Sequence, residues 1–226
     1  MSQENVSAVS VDDSYSPDKK FRFKREADKA HYDHETVHGI LDEGFVAHLG
    51  YGAEAGPQVI PTYYVRDGER LLIHVSSKSG MARAAKAGVP MCATVTLLDG
   101  LVMARSGFHH SMLFRTVCVH GTPTLLEGDD KHRALDLMVE RLSPGRAALA
   151  RPANTQEFKA TLVFALPLEQ VVAKVSAGGP NDDAADLELP IWAGQVRFTQ
   201  EMVFAASADM QVDVEAPEIS LVRKET

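Results

Sequence analysis

Two stretches of the chain gather side chains able to do chemistry. The first is Ser76-Ser77-Lys78-Ser79, followed by Arg83. Hydroxyls, two cations and the N–H groups of an opening helix converge there, a set that suits a phosphate. The same residues also read as a serine N-cap beside two solvated cations. Just upstream, Ile60, Pro61, Thr62 and Tyr63 lie on one strand of a hairpin and His74 on its return strand. A threonine and a histidine on one face of a sheet either bind a ligand or form a polar seam.

The second stretch is SGFHHSMLFRTVCVHG, residues 106–121. Arg115 interrupts an otherwise apolar strand there. An unpaired Arg in such a place is costly, so it calls for an anionic partner. That partner is a structural carboxylate or a ligand. His109 and His110 are adjacent, which on a strand sends them to opposite faces. No HExxH, no Cys/His zinc spacing, no GxGxxG, no GxxxxGK and no GxSxG occurs, and no metal site is expected. Asn181, Asp182, Asp183 and Asp186 resemble a calcium loop in composition only and read as a solvated acidic loop. Cys92 and Cys118 form no CxxC and read as strand residues in a reducing compartment.

The elements around these stretches follow from periodicity. Asp33 stands where an N-cap belongs, and Val37, Ile40 and Leu41 follow at helical spacing up to Gly44. Alternation then predicts strands over 45–51, 58–66 and 70–76, with Pro61 arguing for an edge or bulge and Asp67-Gly68 for a hairpin turn. Residues 79–88 read as a short helix. Strands 91–98 and 101–106 flank Asp99-Gly100, read as a second hairpin turn. Residues 113–127 form a long strand, or two with a bend at 121–123. A helix capped by Asp129 or Asp130 carries Leu135, Met138, Val139 and Leu142 as its stripe. Asn154 and Glu157 have capping-box spacing for a helix over 155–160. Further strands are expected over 161–168, 169–176 and 191–198, and in QEMVFAA. With no strand-helix-strand alternation, the chain reads as mainly β, an antiparallel barrel with peripheral helices.

The chain has 226 residues, 45% of them apolar, and a formal net charge of −8. That length supports a full core without staples. Acidic residues outnumber Lys and Arg by 31 to 23, which argues against nucleic acid as a partner. No apolar run has the length of a membrane span, and no secretory signal is visible, so a cytoplasmic location is expected.

Four blocks carry a resemblance: YDHETVHGILDEG, QVIPTYYVRDGERLLIHVSSKSGM, LLDGLVMARSGFHHSMLFRTVCVHG and AKVSAGGPNDDAADLELPIWAG. The sequence resembles the pyridoxamine 5′-phosphate oxidase-like FMN-binding split barrels over about residues 30–198. Within them it looks most like the flavin-nucleotide-binding group that includes the nitroimidazole-resistance proteins. The resemblance implies a six-stranded antiparallel split β-barrel, usually a homodimer, with FMN in grooves at the subunit interface. It places the phosphate on Ser76, Ser77, Lys78 and Arg83, and the flavin ring along Ile60, Pro61, Thr62 and Tyr63. Thr94 and Thr96 would reach the ribityl chain. Ser111, Met112 and Arg115 would approach from the central block, and Trp192 would pack near the flavin of the partner chain. His74 matches a histidine that faces the substrate pocket in the nitroimidazole-resistance group. Where that group commonly reads HSMNYRSV, this chain reads HSMLFRTV, which makes the pocket more apolar. The Arg-x-His signature of the true B6 oxidases has no match.

The resulting expectation is a flexible arm over 1–25, one FMN-binding domain over 26–205 and a tail over 206–226. The function expected is a flavin-dependent oxidoreductase acting on a small organic substrate, with His74 or His109 as proton donor. FAD or a deazaflavin remain open as the cofactor. Haem binding or degradation, and a non-catalytic flavin store, are the alternatives.

Overall fold

The structure, a computed structural model, describes residues 13–201, 203 and 205. The tail over 206–226 and the first part of the arm lie outside the described residues. Among the described residues, ten strands form one sheet in which every pairing is antiparallel. They are β1 (Ala30–His31), β2 (Val46–Ala53), β3 (Gly56–Arg66), β4 (Arg70–Ser76), β5 (Met91–Met103), β6 (Ser111–Gly121), β7 (Thr124–Leu126), β8 (Thr161–Pro167), β9 (Gln170–Ser176) and β10 (Gly194–Arg197). Their spatial order is β1-β9-β6-β5-β2-β3-β4-β8-β7, with β10 beside β5. The sheet curls into a split barrel, as expected, but with ten strands rather than six. β7 and β10 fall within the segments 113–127 and 191–198 read as strands, whereas β1, only two residues long, carries no readable alternation and owes its strand geometry to β9. QEMVFAA shows no strand among its described residues.

Among the described residues, five α-helices cover the barrel. α1 (His34–Glu43) begins where Asp33 accepts the Thr36 N–H at 2.8 Å. Its face of Val37, Ile40 and Leu41 is buried in the main core with Leu49, Tyr64, Ile73, Val95, Val117 and Phe164. The Tyr64 hydroxyl donates to the last-turn carbonyl of Leu41 at 2.7 Å. At Gly44 a Cβ would lie 2.6 Å from Val95 Cγ1, so glycine is needed where the helix leaves the core. α2 (Gly80–Lys86) is capped by Ser79, and α4 (Arg146–Leu149) is a single turn. α5 (Thr155–Ala160) carries the expected capping box of Asn154 and Glu157. α3 (Gly128–Leu142) starts earlier than expected. Glu127 is its N-cap, and Asp129 and Asp130 fall in the first turn, where carboxylates favour the helix dipole. α3 lays Ala134, Leu135 and Met138 on a second apolar layer formed by Val65, Leu72, Val163 and Ala165 outside the barrel. Leu142, expected in its buried stripe, is exposed. No helix among the described residues is long and apolar enough to cross a membrane.

The clearest correction concerns Asp99-Gly100. Asp67-Gly68 makes the β3–β4 hairpin, with Gly68 at φ 59°. Asp99-Gly100 instead lies inside β5, a strand of 13 residues, where the register with β6 shifts between Leu98 and Gly100. It is a β-bulge rather than a turn. Two contacts make it so. A Cβ at Gly100 would sit 2.3 Å from the Val196 carbonyl of β10, so glycine admits that strand. The Asp99 carboxylate is engaged by Arg115.

Arg115 resolves the question its sequence posed. Nε and Nη2 donate to Asp99 at 2.9 and 2.8 Å, and Nη1 and Nη2 donate to Glu43 at 2.6 and 3.0 Å. The partners are the chain's own carboxylates, one at the end of α1 and one at the bulge. They hold the guanidinium even more firmly protonated than an ordinary arginine. Replacing Arg115 by Met removes all four of these hydrogen bonds and the charge between Glu43 and Asp99. We expect a loss of about 2–3 kcal/mol in urea unfolding, below the fully buried range because about a fifth of each side chain still meets solvent.

Candidate functional site

Strand register decides which candidate residues share a face. His48 of β2 stands opposite Pro61 of β3 on one side and Thr94 of β5 on the other, and Thr94 stands opposite Cys118 of β6. Side chains two apart share a face, so Tyr63 and Thr96 extend this row. Ile60 and Thr62 belong to the alternate rungs. They sit opposite Leu49 and Ala47, which are fully buried. The outer face thus carries Pro61, Tyr63, His48, Thr94 and Thr96, while Ile60 and Thr62 lie on the inward-facing rungs. His48 belongs to this set, and its position opposite Leu49 in the alternation was the signal for it.

Pro61 is tolerated because β3 pairs with β4 only over Tyr64–Arg66. Its missing N–H breaks no ladder on that side. Thr96 Oγ1 lies 2.9 Å from Thr116 Oγ1, which in turn bonds the Val95 carbonyl at 2.7 Å. The Thr94 hydroxyl lies 3.8 Å from the weakly bonding Cys118 Sγ.

At the end of β4 the chain turns tightly. Ser79 N–H donates to the Ser76 carbonyl at 2.9 Å, and the Ser79 hydroxyl accepts the Ala82 N–H at 3.0 Å. Arg83 Nη1 donates to the Lys78 carbonyl at 3.1 Å, which brings its guanidinium back over the turn. Lys78 and Arg83 are both exposed, and neither forms a salt bridge among the described residues. Ser76, Ser77, Lys78 and Arg83 therefore lie along one turn from β4 into α2, with Ser77 facing a cavity it shares with Lys86 and Lys131 and Arg83 facing one it shares with Tyr51 and Gly80. Ser76 and His74 share one face of β4.

His74 opens onto a cleft of about 570 Å³ between the sheet, α3 and α5. Tyr63, His132, Leu135, Met138, Val139 and Phe158 are among its walls. The Tyr63 ring meets His74 edge-on at 6.5 Å, and its hydroxyl donates to the Met138 carbonyl at 2.9 Å. His132 stacks on Phe158 at 4.0 Å. Loss of hydration on its crowded side pulls the His74 pKa below the ordinary histidine value. His74 is then neutral at pH 7, a proton acceptor or a ligand for a metal centre rather than a cation. The cleft has the size and apolar character of a small-molecule or cofactor site.

The other candidates lie elsewhere. His109 sits in the loop between β5 and β6, its Nε2 3.5 Å from Asp183 Oδ2. The His110 ring faces the Ser106 carbonyl at 3.0 Å. Neither lines the His74 cleft. The loop is held by Asp182, whose side chain is almost fully buried and accepts from Arg105 N–H and Nη1 at 2.8 and 2.9 Å. Asp182 is thus a buried anchor and not the solvated residue its acidic neighbourhood suggested. Ser111 and Met112 begin β6, and Met112 is half exposed. Trp192 is 66% exposed and folds over Gly194, where a Cβ would lie 2.9 Å from its ring. Arg115, with four hydrogen bonds to Glu43 and Asp99, has little left to offer a ligand.

A family model described as pyridoxamine 5′-phosphate oxidase matches residues 33–175, from the α1 cap to β9. The chain belongs to the pyridoxamine 5′-phosphate oxidase-like family. Among solved structures, this family member is similar to the flavocytochrome Anf3 from Azotobacter vinelandii, at 34% identity and a TM-score of 0.84, covering 90% of this chain and 96% of that one. It is also similar to an FAD and haem binding protein from Mycobacterium smegmatis, at 32% identity and a TM-score of 0.79, covering 84% and 94%. A 5-nitroimidazole antibiotic resistance protein from Bacteroides thetaiotaomicron, described as putative, shares the fold at 19% identity and a TM-score of 0.54, covering 63% and 84%. No curated protein matches.

The lowered pKa of His74 makes a testable statement about stability. The unfolded chain binds the His74 proton more readily than the folded one. The stability that neutral His74 supports is complete above about pH 6.5 and is lost as pH falls below it. His74→Gln is expected to lose less stability than the parent protein between pH 7.5 and 5.5, read from urea midpoints at each pH.

Proposed function

We propose that this family member is a flavin-binding redox protein whose flavin lies along the outer face of β2, β3 and β5. The observation that carries the reading is the turn at Ser76, Ser77, Lys78 and Arg83. Hydroxyls and two cations with no salt bridge among the described residues follow β4 there, and β4 pairs with β3, the strand that carries Pro61 and Tyr63. An anionic phosphate fits the turn, and a flat ring system fits the row of Pro61, Tyr63, His48 and Thr94. Either FMN or FAD satisfies this arrangement, as does a deazaflavin phosphate. Bound there, the flavin supplies hydride and electron transfer to a small organic substrate. The chain's own part is to hold the phosphate, shield one ring face with Pro61 and Tyr63, and offer neutral His74 as a proton acceptor at Nδ1 or Nε2 beside the row.

The protein acts as a homodimer in this reading. Met112 of β6 stands opposite Leu101 of β5, which stands opposite Val196 of β10. Met112, Val196, Leu98 and Trp192 are exposed apolar side chains at this end of the sheet, the kind of surface a second copy would cover. In such a pair His109 and Trp192 of one chain would complete the site of the other, as residues far from His74 within a single chain.

A second reading concerns haem, favoured by the two relatives at 34% and 32% identity whose names include a cytochrome and haem. The residues fit. His74 is neutral at the mouth of an apolar cleft, with Leu135, Met138 and Val139 as walls and Arg151, paired with Glu157, at the rim. Bound there, haem would supply one-electron chemistry.

The visible spectrum of the purified protein, followed by release and identification of its chromophore, tests both readings. The Lys78→Ala, Arg83→Ala double variant is expected to bind flavin at least about 10-fold more weakly with an unchanged circular dichroism spectrum. Unaltered affinity would move the phosphate site elsewhere. A Soret band that His74→Ala abolishes, with flavin content retained, supports the haem reading. Its absence after haem reconstitution would remove that reading.

A further inference from the structure

Away from the flavin row and the cleft, three segments bring nitrogen and oxygen donors to one point. His34 and His38 lie one turn apart on the same face of α1. Glu69 comes from the turn between β3 and β4. Tyr15 comes from the arm, which docks through the Tyr15 N–H on the Tyr32 carbonyl at 2.8 Å and the His34 N–H on the Asp13 carbonyl at 3.1 Å. One ligand atom from each of His34, His38 and Glu69 lies within 4.8 Å of the other two.

We infer that His34, His38 and Glu69 form a binding site for a divalent transition-metal ion of the zinc class. Two imidazoles and a carboxylate make one of the common zinc donor sets. The distances agree with that use. Ligands about 2.0–2.1 Å from a tetrahedral ion stand about 3.3 Å from one another. His38 Nε2 lies 3.3 Å from Glu69 Oε1. Hydrogen bonding accounts for only part of the cluster. The Tyr15 hydroxyl donates to Glu69 Oε2 at 2.5 Å and lies 2.7 Å from His38 Nε2, so one chain of bonds runs through three of the four residues. The His34 ring has no part in that chain. It stacks between Tyr15, at 4.2 Å, and His38, at 5.3 Å. An ion at His38 Nε2 would take the place of that nitrogen's contact with Tyr15, which keeps its hydrogen bond to Glu69 Oε2 and so orients the carboxylate ligand. The nearby Arg66 does not bar a cation, because its guanidinium is paired through two bonds with Asp42, at 2.7 and 2.6 Å.

The ion would pin the arm, α1 and the β3–β4 hairpin together and take no part in the redox chemistry. Its test is accordingly independent of flavin or haem. The full-length protein, purified without a polyhistidine tag and treated with a chelator, is titrated with zinc sulfate by calorimetry. The expected result is one equivalent bound per chain and a rise in the thermal midpoint. His38→Ala and Glu69→Gln should each weaken binding at least about 10-fold with the flavin content of the protein unchanged. A cobalt(II) titration of the parent protein should show the intense d–d absorption of a tetrahedral site, and Glu69→Gln should lose it. Absence of zinc binding in the folded parent protein would overturn the inference. So would binding that survives unchanged in both His38→Ala and Glu69→Gln, since the ion would then sit elsewhere.

Discussion

The architecture turns on a cation set where a strand would otherwise be apolar. Arg115 reaches two carboxylates in different parts of the chain, Glu43 at the end of α1 and Asp99 inside β5. Three elements are thereby fixed by one side chain: α1, β5 and β6. The bulge at Asp99 keeps the carboxylate aimed at the guanidinium, and Gly100 beside it lets β10 approach. An apolar side chain in place of Arg115 would fill the volume without fixing the geometry. Replacing the whole cluster, Glu43 and Asp99 included, by apolar side chains would cost little net stability, whereas removing the arginine alone is costly. What the cluster adds here is direction, since four hydrogen bonds at defined angles admit only one arrangement of helix, bulge and strand.

Much of the framework was legible in the sequence because local rules and tertiary demands coincide. Asp33, Gly44, Ser79, Asn154 and Glu157 act as helix signals, and Asp67-Gly68 makes a hairpin. Asp99-Gly100 misled because the same dipeptide serves a turn and a bulge equally well. Which one forms depends on Arg115 and on β10, which joins the sheet from residues about a hundred positions away. The count of six belonged to the family resemblance, while the chain's own pattern already marked β7 within 113–127 and β10 within 191–198 and missed only the two-residue β1. At the site, the turn of Ser76, Ser77, Lys78 and Arg83 was legible because it is local. The position of Ile60 and Thr62 on the inward rungs was not, because pairing partners set the phase of β3. Asp182 and Glu69 gave no sequence signal for their contacts at all, their partners being 77 residues away for one and 31 for the other in chain position.

A division of labour follows from the two apolar layers. The barrel interior holds the fold together. The layer beneath α3 holds a cleft against the sheet, with His74 at its mouth. The cleft is therefore shaped by helices that contribute little to the main core. Changes in α3, α4 or α5 can alter the volume beside His74 while Arg115 and its carboxylates keep the strands in place. Within one family this allows the same barrel to carry different groups beside the same sheet face.

The pairing of β1 with β9 bears on how the chain is made. Ala30 stands opposite Lys174, and the Asp18 N–H donates to Gln170 at 2.7 Å. The first strand thus waits for one of the last. At about 5–20 residues per second, the ribosome needs on the order of ten seconds between them. During that interval α1 and the β2–β3 hairpin have partners at hand, whereas the edge that β1 will cover does not yet exist. The pairing of β1 is accordingly among the last to form on a nascent chain, whereas Tyr15 can meet His38 and Glu69 as soon as the β3–β4 hairpin exists. A truncation that removes residues before Ala30 should leave the order of the earlier steps untouched.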